Sequence, residues 1–570
     1  MPTAGRTFTL ESQNIDALPL VNHLLTRLGL DDLLTEHVPA GDRRQRLAPA
    51  TGLGVLVRNL LPGRVPLYSQ PEWAARAVPQ LLGIQLGEVA QLTDDQLGRA
   101  LDRLFDADRA TLLTQLVVRA VTAFDVELAQ LHNDATTVTF TGEYRAARGR
   151  TLRGRRALAI GYGHNKDHRP DLKQLLFILT VSADGAVPIH YRACDGNTED
   201  STTHVQTWEV LRALAGRPDF LYVADSKLCT SATVRYLDAR QGRFITVLPR
   251  TRAEDAFFRD WLQTHTPAWQ TVAQRRNRHR QAGPPDGWKA VEAPLPSQEG
   301  YRIIWVWSSL KAEQDEQARA ARIEQAGLAL EDLRTRLRGP RCRYPSRGAV
   351  AETAATLVAQ AGASRWLTLE VREQPEPIFR QEHRGRPGRT TRYLRRQRLR
   401  FEVEWSPILA TIEYDARCDG IFPLVTNDRA LTLTAVLVAY KYQPQLEKRH
   451  EQLKSVYAVA PVFLHHEGRV EALLFCYFIV LLVQALLERE VRRAMAARGI
   501  ESLPLYPEGR ECLAPSAHGL CDVFTGLQHH RLRRQGTLVQ TFPPELTPLQ
   551  LQILDLLGIS PQEFTSEMLS

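Results

Sequence analysis

The sequence predicts an α/β protein whose core is interrupted by a large mixed α+β insertion and flanked by helical N-terminal and C-terminal regions. Three patterns support this prediction. Apolar residues recur at three- and four-residue steps through residues 11–125 and again after residue 428, which is the period of a helix. Short apolar or β-branched stretches bounded by Asp, Gly and Asn begin near residue 125. Between residues 251 and 405 neither pattern is sustained.

Local signals locate individual elements along the chain. A capping-box pattern at Thr93 predicts the start of an N-terminal helix. The segment LTVSADGAVPIHY predicts a hairpin with Asp184 and Gly185 at its turn. A helix capped by Ser201 or Thr202 is expected next, and the apolar strand in DFLYVADSK follows it. Strands, a helix and another strand in this order favour an α/β core whose first strands are antiparallel.

The insertion and the C-terminal part have their own patterns. The insertion contains a charged helix, AEQDEQARAARIEQAGLALEDLRTRL, and short strands in YRIIWVWSS, SRWLTLEVRE and RLRFEVEWS. The run ALLFCYFIVLLVQALL at 472–487 is too short for the roughly 20 apolar residues that span a bilayer. It therefore predicts a buried core helix. The segment LTPLQLQILDLLGIS predicts a further amphipathic helix.

Composition limits the class of protein. With 44% hydrophobic and 24% charged residues, the 570-residue chain has ordinary globular composition. Its formal net charge is +8, and only eight of its 72 basic residues are lysines. Arginine makes bidentate phosphate contacts, so the composition permits a nucleic-acid partner without requiring one. Seven dispersed cysteines without a C-x-x-C argue against a disulfide framework or a structural zinc site. The N-terminus lacks an apolar signal core, and we expect a cytoplasmic protein with no membrane partner.

Two aspartates follow apolar strand patterns. Asp134 follows AQLH and Asp225 follows FLYVA, so each is expected at or near the end of a strand. Strand ends facing a cleft are where α/β proteins place ligands. The alternative is that each residue merely begins a turn or caps a helix. Capping suits Asp225, which SKLCTSATVRYL follows, better than Asp134, which the β-like TTVTF follows.

A third carboxylate makes a metal site the stronger interpretation. Pro444 is expected in the first turn of a helix, which places Glu447, Glu451 and Lys454 as neighbours on one face. Two aspartates at strand ends and one glutamate on a helix suit a two-metal phosphoryl-transfer site, because carboxylate oxygens are ligands for Mg²⁺. The surrounding cations would then hold phosphates.

The chain resembles bacterial insertion-sequence DDE transposases, in the branch whose third acidic residue lies in a Tyr-x2-Arg-x3-Glu-x6-Lys signature. Tyr440, Glu447 and Lys454 match this spacing, whereas Gln443 stands at the Arg position. Further motifs of the resemblance are HNDATTVTFTG, GHNKDHRPDLKQ, DGNTEDSTT, YVADSK and VTND, which together cover roughly 125–490. The spacing favours Glu447 over Glu451 as the signature residue, and Glu451 is left with at most a surface ion pair.

The resemblance implies an RNase H-like catalytic core. In it, Asp134, Asp225 and Glu447 would be the catalytic triad and bind two Mg²⁺ ions, which Mn²⁺ can replace. It implies cleavage of double-stranded DNA at element ends and strand transfer into target DNA, by a homodimer in the synaptic complex of a bacterial, nucleoid-associated protein. Tyr440 and Lys454 would contact phosphates. Gln443 can donate a hydrogen bond but supplies no charge, so either Lys441 or Lys448 compensates or this copy is impaired.

The resulting division of the chain has five parts. They are a helical domain for element-end binding or dimerisation (1–124), the first part of the core (125–250), the insertion (251–405), the second part of the core with the Glu-bearing helix (406–497), and a C-terminal region (498–570). Two other functions stay open at this point. One is an RNase H-like nuclease without strand transfer, and the other is a catalytically decayed DNA-binding protein.

Arginine clusters and tryptophans each have two interpretations. Clusters occur at 144–156, 275–280, 384–400 and 529–534, and each is either a solvated surface or a contact with a phosphate backbone. Tryptophans on the strands of the insertion either pack a small core or, as in some related enzymes, stack on a flipped base. These tryptophans are Trp305, Trp307, Trp366 and Trp405.

Overall fold

The computed structural model describes the chain except for residues 1–7, 42–45, 168, 277–283, 340–341, 343, 457–463, 465, 507 and 566–570. The chain divides into two compact units. The first consists of Met1–Thr246 and Val438–Ser570, and the second of Val247–Leu437. The second unit thus lies between the two parts of the first in the sequence. Most of the arginine cluster at 275–280 lies outside the described residues.

The first part of unit 1 is mostly helical, as predicted. Its elements are β1 (Phe8–Asn14), α1 (Leu18–Leu28), α2 (Leu30–His37), α3 (Pro49–Arg58), α4 (Gln70–Arg76), α5 (Asp94–Asp106) and α6 (Arg109–Phe124). The capping prediction at Thr93 is confirmed, since its side chain accepts a hydrogen bond from the Gln96 amide at the start of α5. The prediction of helix from residue 11 is wrong at its start, because β1 extends to Asn14. This strand pairs with a segment more than 500 residues away, so no local pattern reveals it.

Five sheet strands follow the helices in unit 1. These strands and the elements beside them are β2 (Gln130–Phe140), β3 (Thr151–Leu152), β4 (Arg155–Arg156), β5 (Lys173–Ser182), β6 (Pro188–Cys194), α7 (His204–Ala215), β7 (Leu221–Ala224), α8 (Ser231–Asp238) and β8 (Arg243–Val247). The strand order in this unit is β6-β5-β2-β7-β8. The strands β5 and β6 form the predicted antiparallel hairpin, whereas β7 and β8 run parallel to β2. The mixed α/β prediction is confirmed.

Two local predictions about this region have different outcomes. The turn between β5 and β6 contains Asp184 and Gly185, and Gly185 has φ +82°, a value that suits glycine. The predicted caps of the next helix are wrong. Ser201 and Thr202 lie in a short 3-10 turn, and α7 begins after Thr203, whose side chain makes no capping hydrogen bond.

Unit 2 contains four neighbouring sheet strands, a long two-stranded hairpin and several helices. Its elements are α9 (Ala253–Trp261), β9 (Gln270–Arg275), β10 (Asp286–Glu292), β11 (Arg302–Ser308), α10 (Ser309–Arg338), α11 (Arg347–Gln360), β12 (Leu367–Gln381), β13 (Tyr393–Pro407), α12 (Leu409–Arg417) and β14 (Ile421–Thr426). Within this unit the strand order is β14-β11-β10-β9, with antiparallel neighbours. The charged helix and the three strands predicted for the insertion correspond to α10, β11, β12 and β13. The prediction that all three strands are short is wrong, because β12 and β13 each have 15 residues.

The tryptophans of unit 2 mostly pack. Trp305 is fully buried and stacks on Phe258 with ring centroids 4.0 Å apart. Trp366 is buried, and its indole nitrogen donates to Asp415 at 2.7 Å. Trp405 packs against the core shared by α10, α11 and the β12–β13 hairpin. The packing interpretation is therefore confirmed for these three.

The chain ends with elements that complete unit 1. They are α13 (Leu433–Tyr440), which begins in unit 2, then α14 (Gln443–Glu451), a π-helical turn (Gln452–Val456), α15 (Glu467–Ala497), α16 (Ala517–Asp522), β15 (Gln528–Arg534), β16 (Thr537–Phe542), α17 (Pro548–Leu557) and α18 (Gln562–Thr565). The most apolar 18-residue stretch of α15 is 94% buried within the protein, so the core-helix prediction is confirmed. The helical prediction for the C-terminal region is wrong in part, because β15 and β16 form a sheet with β1. The pairing of β15 with β1 is non-local, which explains why the sequence did not reveal it.

Candidate active site

Asp134 and Asp225 stand at equivalent points of two neighbouring parallel strands. The parallel ladder between β2 and β7 runs to the pair formed by Asn133 and Ala224, and each aspartate is the next residue along the chain. The expected position of Asp134 at a strand end needs correction. It lies within the 11-residue β2, whose antiparallel pairing with β5 continues to Phe140. What ends at Asp134 is the parallel ladder, and this is the edge where α/β sheets bind ligands.

Asp225 combines the two roles that the sequence left open. Its carboxylate accepts a hydrogen bond from the Lys227 amide at 3.0 Å and so caps a short 3-10 turn, Ser226–Leu228. Burial raises the pKa of Asp225, and the negative charge of Asp134 raises it further. Burial likewise raises the pKa of Asp134, with the Lys166 ammonium opposing the effect. The two carboxylates therefore interact electrostatically.

Glu447 lies on α14 and interacts electrostatically with Asp134. Pro444 lies in the first turn of this helix, as predicted. Glu447 is on the exposed side of the helix, yet burial and the charge of Asp134 both raise its pKa. Glu451, one turn further on, is exposed. Among the described residues it forms no ion pair, so the predicted surface pair is not observed.

The opposite side of α14 is anchored by a buried ion pair. Arg449 and Glu488 of α15 each have 3% side-chain exposure, and their charged atoms are 2.8 Å apart. The Arg449 guanidinium also donates to the backbone carbonyls of Gly185 and Ala186 in the β5–β6 turn. A fully bonded buried pair of this kind fixes orientation, because each charge loses its partner if the helix shifts. Glu447 is thus presented by a rigid element.

Gln443 joins α14 to β2 beside Asp134. It is only 7% exposed, its amide oxygen lies 3.0 Å from His132 Nδ1, and its amide nitrogen donates to the Asn133 carbonyl at 3.3 Å. Burial lowers the pKa of His132 to about 4, so this histidine is neutral near pH 7. The predicted contact of Gln443 with DNA does not fit this geometry. The residue at the Arg position of the signature instead holds the helix against the strand.

Lys166 and Asp200 belong to the same pocket and were not identified as site residues from the sequence. The Lys166 ammonium lies 3.0 Å from Asp200 and 3.6 Å from Asp134. Burial alone would lower the pKa of Lys166, but the neighbouring carboxylates of Asp134, Asp200 and Asp225 outweigh burial and raise it. We call the carboxylates of Asp134, Asp200, Asp225 and Glu447 the acidic pocket. Lys166 is its internal counter-ion.

Close backbone packing explains why Lys166 meets Asp200. A Cβ on Gly163 would lie 2.0 Å from the carbonyl oxygen of Gly196, so only glycine permits this approach. Gly163 belongs to the motif GHNKD and Gly196 to DGNTED, the two segments that supply the lysine and the aspartate. The glycine in each motif was the available sign of a close backbone approach. The sequence does not show, however, that these two glycines face each other.

Asp167, the residue after Lys166, forms an ion pair with Lys454, which the sequence predicts to contact a phosphate. The Asp167 carboxylate lies 2.6 Å from the ammonium of Lys454. Asn165 shapes this turn, since its side-chain oxygen accepts from the backbone amides of Asp167 and Arg169. Lys166 and Asp167 therefore contact oppositely charged partners, the acidic pocket and Lys454.

The remaining predicted residues lie around the pocket. Tyr440 ends α13, and burial together with the charges of Asp225, Glu447 and Asp134 raises its pKa to about 12. Lys441 and Lys448 are exposed. His450 is buried with Nδ1 3.6 Å from Asp134, and burial followed by the charges of Lys166 and Lys454 lowers its pKa to about 3. His450 is therefore uncharged near pH 7.

The donor set of the pocket suits a hard divalent cation. It consists of carboxylate oxygens, the preferred ligands of Mg²⁺. Within the described part of the chain, however, no three His, Cys, Asp or Glu side chains already converge on a metal-binding arrangement. The carboxylates interact electrostatically but are not in a preformed cage, and Lys166 supplies positive charge between two of them.

Comparison with known proteins gives limited information. Residues 10–118 match a family model described as a domain of unknown function, DUF4277. No curated protein matches the chain. Among solved structures, a cryo-EM structure of the piggyBac transposase synaptic complex with hairpin DNA matches with a TM-score of 0.38 and 9% identity, covering 89% of this chain and 79% of that one. At these values the match establishes neither fold nor function.

Proposed function

We propose that this protein is a metal-dependent DDE transposase, which cleaves DNA at the ends of an insertion sequence and joins them to target DNA. One observation carries the proposal. Asp134 and Asp225 follow the last pair of the β2–β7 parallel ladder, and Glu447 interacts electrostatically with Asp134 from a separately anchored helix. Two strand carboxylates and one helix carboxylate are the donor set that the resemblance to this family implies.

The sheet supports an RNase H-like core for this site. Three antiparallel strands, β6, β5 and β2, continue into two strands parallel to β2, with α7 and α8 in the connections. This is the order expected of such a core. The hairpin, the parallel strands and the Glu-bearing helix all belong to unit 1.

The carboxylates have a definite task in the proposed chemistry. Asp134, Asp225 and Glu447 are the residues that would hold Mg²⁺. When bound, the metal supplies Lewis acidity and lowers the pKa of a bound water near a phosphodiester. Gln443 and Arg449 fix the helix that carries Glu447, so that the third carboxylate keeps its position relative to Asp134. Rigid positioning of this kind is a major contribution to phosphoryl transfer.

Cations beside the pocket are suited to hold the DNA strand. Lys454 follows Glu447 by seven residues, and Lys441 and Lys448 are exposed on the same segment of the chain. Because Asp167 contacts Lys454, a phosphate must take the place of that carboxylate when DNA binds. The Tyr440 hydroxyl stays protonated near pH 7, given its raised pKa, and can donate a hydrogen bond to a phosphate oxygen.

The decisive experiment compares the activities of variants at Glu447 and Glu451, which are one helical turn apart. Labelled duplexes from the DNA flanking the gene would be incubated with Mg²⁺ or Mn²⁺ and the wild type, Glu447→Gln or Glu451→Gln. We expect Glu447→Gln to abolish cleavage and joining while retaining DNA binding, and Glu451→Gln to behave as wild type. Glu451 is a matched control, since it is an exposed glutamate one turn away on the same helix. Equal activity of all three proteins would refute the assignment.

The same assay separates the alternative functions. An RNase H-like nuclease would release 3′ ends without joining them to target DNA. A decayed DNA-binding protein would bind the duplex but neither cleave nor join it. The position of Lys166 beside Asp134 and Asp200 favours this last alternative more than any other feature, because an ammonium there opposes cation binding.

A further inference from the structure

The β12–β13 hairpin of unit 2 has two halves of different character. In the half near α10 and α11, Val371, Phe401 and Val403 are buried in the core of the unit. Beyond Glu376 the strands leave that core. From Glu376 to Gln381 they make six paired positions, about 20 Å of two-stranded ribbon at 3.4 Å per residue. We call residues 376–400, which include the connecting loop, the arginine ribbon.

The arginine ribbon carries most of the excess charge of the protein. It contains nine arginines and two glutamates, which gives nine minus two, or +7, against +8 for the whole chain. Seven of the arginines are exposed, and among the described residues these seven form no side-chain ion pair. They are Arg380, Arg384, Arg386, Arg389, Arg392, Arg395 and Arg396. Like charges at this density repel one another across the strands.

The ribbon also exposes large apolar side chains. Phe379, Tyr393 and Leu399 are 64%, 50% and 53% exposed. The alternation of the strands places these three on one face with Arg395, whereas Arg380, Arg396 and Arg398 share the other face with the exposed Leu394. A two-stranded hairpin gains little stability alone in water. A ribbon that exposes arginines and large apolar side chains on both faces is therefore expected to be completed by a partner.

We infer that the arginine ribbon is a DNA-binding arm that lies in a groove of double-stranded DNA. The density of exposed positive charge favours an extended polyanion, and the dimensions match, because the major groove, about 12 Å wide, admits a two-stranded ribbon. Arginines on both strands and in the loop can reach phosphates on either side of a groove. The exposed apolar side chains can contact sugars and thymine methyl groups. This inference goes beyond the catalytic proposal and does not depend on it.

The test measures affinity and its salt dependence with the full chain. A fluorescent 30-base-pair duplex of mixed sequence would be titrated by anisotropy from 50 to 200 mM NaCl. The variant Arg380→Gln/Arg396→Gln removes two exposed arginines from one face. The control Arg372→Gln/Arg336→Gln removes the same charge from exposed arginines that are paired with Glu370 and Asp332. Since each lost phosphate contact reduces the slope of log K against log salt by about 0.9, we expect a reduction of about 2 and roughly tenfold weaker binding in the ribbon variant alone.

Each other outcome overturns the inference. If the ribbon variant binds as wild type, or if the control weakens binding equally, the ribbon is not a specific contact surface. If Phe379→Ser/Leu399→Ser lowers the sedimenting mass and leaves DNA affinity unchanged, the ribbon pairs with a second copy of the chain. If the ribbon variant loses binding to anionic phospholipid vesicles and keeps its DNA affinity, the partner is a membrane surface. Glu447→Gln should retain the ribbon-dependent affinity, which separates this test from that of catalysis.

Discussion

Charge is organised in opposite ways in the two units. In unit 1, four carboxyl groups share a partly buried pocket with one ammonium, and burial together with mutual repulsion raises the pKa of three of them, Asp134, Asp225 and Glu447. In unit 2, seven arginines project from a ribbon into water without ion-pair partners among the described residues. The formal net charge of +8 conceals both concentrations.

The difference between the two regions determines which ligand each can take. Concentrating carboxylates where water is partly excluded costs free energy, and a small cation that binds several of them recovers it. Exposed arginines pay no such desolvation cost, but they gain little unless a polyanion neutralises many of them together. Unit 1 is thus suited to a divalent cation, and the arginine ribbon of unit 2 to a nucleic-acid backbone.

The largest effect on ligand binding is expected from removing a carboxylate of the acidic pocket. Asp134→Asn should weaken Mn²⁺ binding by at least about 100-fold, the upper range for changes to the partners of metal ligands. Electron paramagnetic resonance of free Mn²⁺ measures this directly and does not require activity. Asp171→Asn is the control, since Asp171 is exposed and forms an ion pair with Arg169. Equal Mn²⁺ binding by both variants would exclude Asp134 as a ligand.

Local chemistry in the sequence accounts for much of the fold. The cap at Thr93, the turn at Asp184 and Gly185 and the first-turn position of Pro444 were predictable, because each depends on residues within one turn. The mixed α/β class followed from periodicity. The pairing of β1 with β15 was not predictable, since a period of two indicates a strand but does not name its partner.

The candidate site shows the same limit. The order of Asp134, Asp225 and Glu447 and their strand and helix contexts were available from the sequence. The sequence did not reveal whether Gln443 points towards DNA or towards β2. Burial of a polar residue depends on partners that are distant in sequence, such as His132. The counter-ion role of Lys166 likewise depends on contacts between segments that are not adjacent in sequence.

Removing the anchor of α14 is expected to change stability rather than metal binding. Arg449→Met leaves the buried carboxylate of Glu488 without its main partner, and this should lower the free energy of unfolding of unit 1 by about 3–5 kcal/mol. Urea unfolding followed by circular dichroism measures the change. Lys448→Met is the matched control, because Lys448 is the exposed neighbour, and it should change the free energy by less than about 0.5 kcal/mol. Similar losses in both variants would show that the ion pair is not the anchor.

Removing the counter-ion of the acidic pocket should raise the affinity for Mn²⁺, whereas removing a carboxylate should lower it. Lys166→Gln eliminates an ammonium 3.6 Å from Asp134 and 3.0 Å from Asp200. Since that ammonium repels a second cation, Mn²⁺ affinity should rise about tenfold, a change of about 1.4 kcal/mol. Lys173→Gln on β5 is the control, because the Lys173 ammonium contacts the backbone carbonyl of Glu143 instead. Weaker Mn²⁺ binding by Lys166→Gln would show that the lysine organises the carboxylates rather than competing with the metal.

The smallest effect on DNA affinity is expected from the arginine cluster at 144–156, which resembles the cluster of the ribbon in sequence. In the cluster at 144–156, Arg153 pairs with Asp106 at 2.7 Å and Arg156 with Asp195 at 2.5 Å, so their charge is already neutralised within the protein. Arg153→Gln/Arg156→Gln should therefore change affinity for the same duplex by less than about twofold and leave the salt slope unchanged, because no counterion is released at these positions. The ribbon variant Arg380→Gln/Arg396→Gln loses the same formal charge and should differ in both quantities. Equal losses in the two variants would mean that overall charge, not the exposure of unpaired arginines, determines DNA affinity.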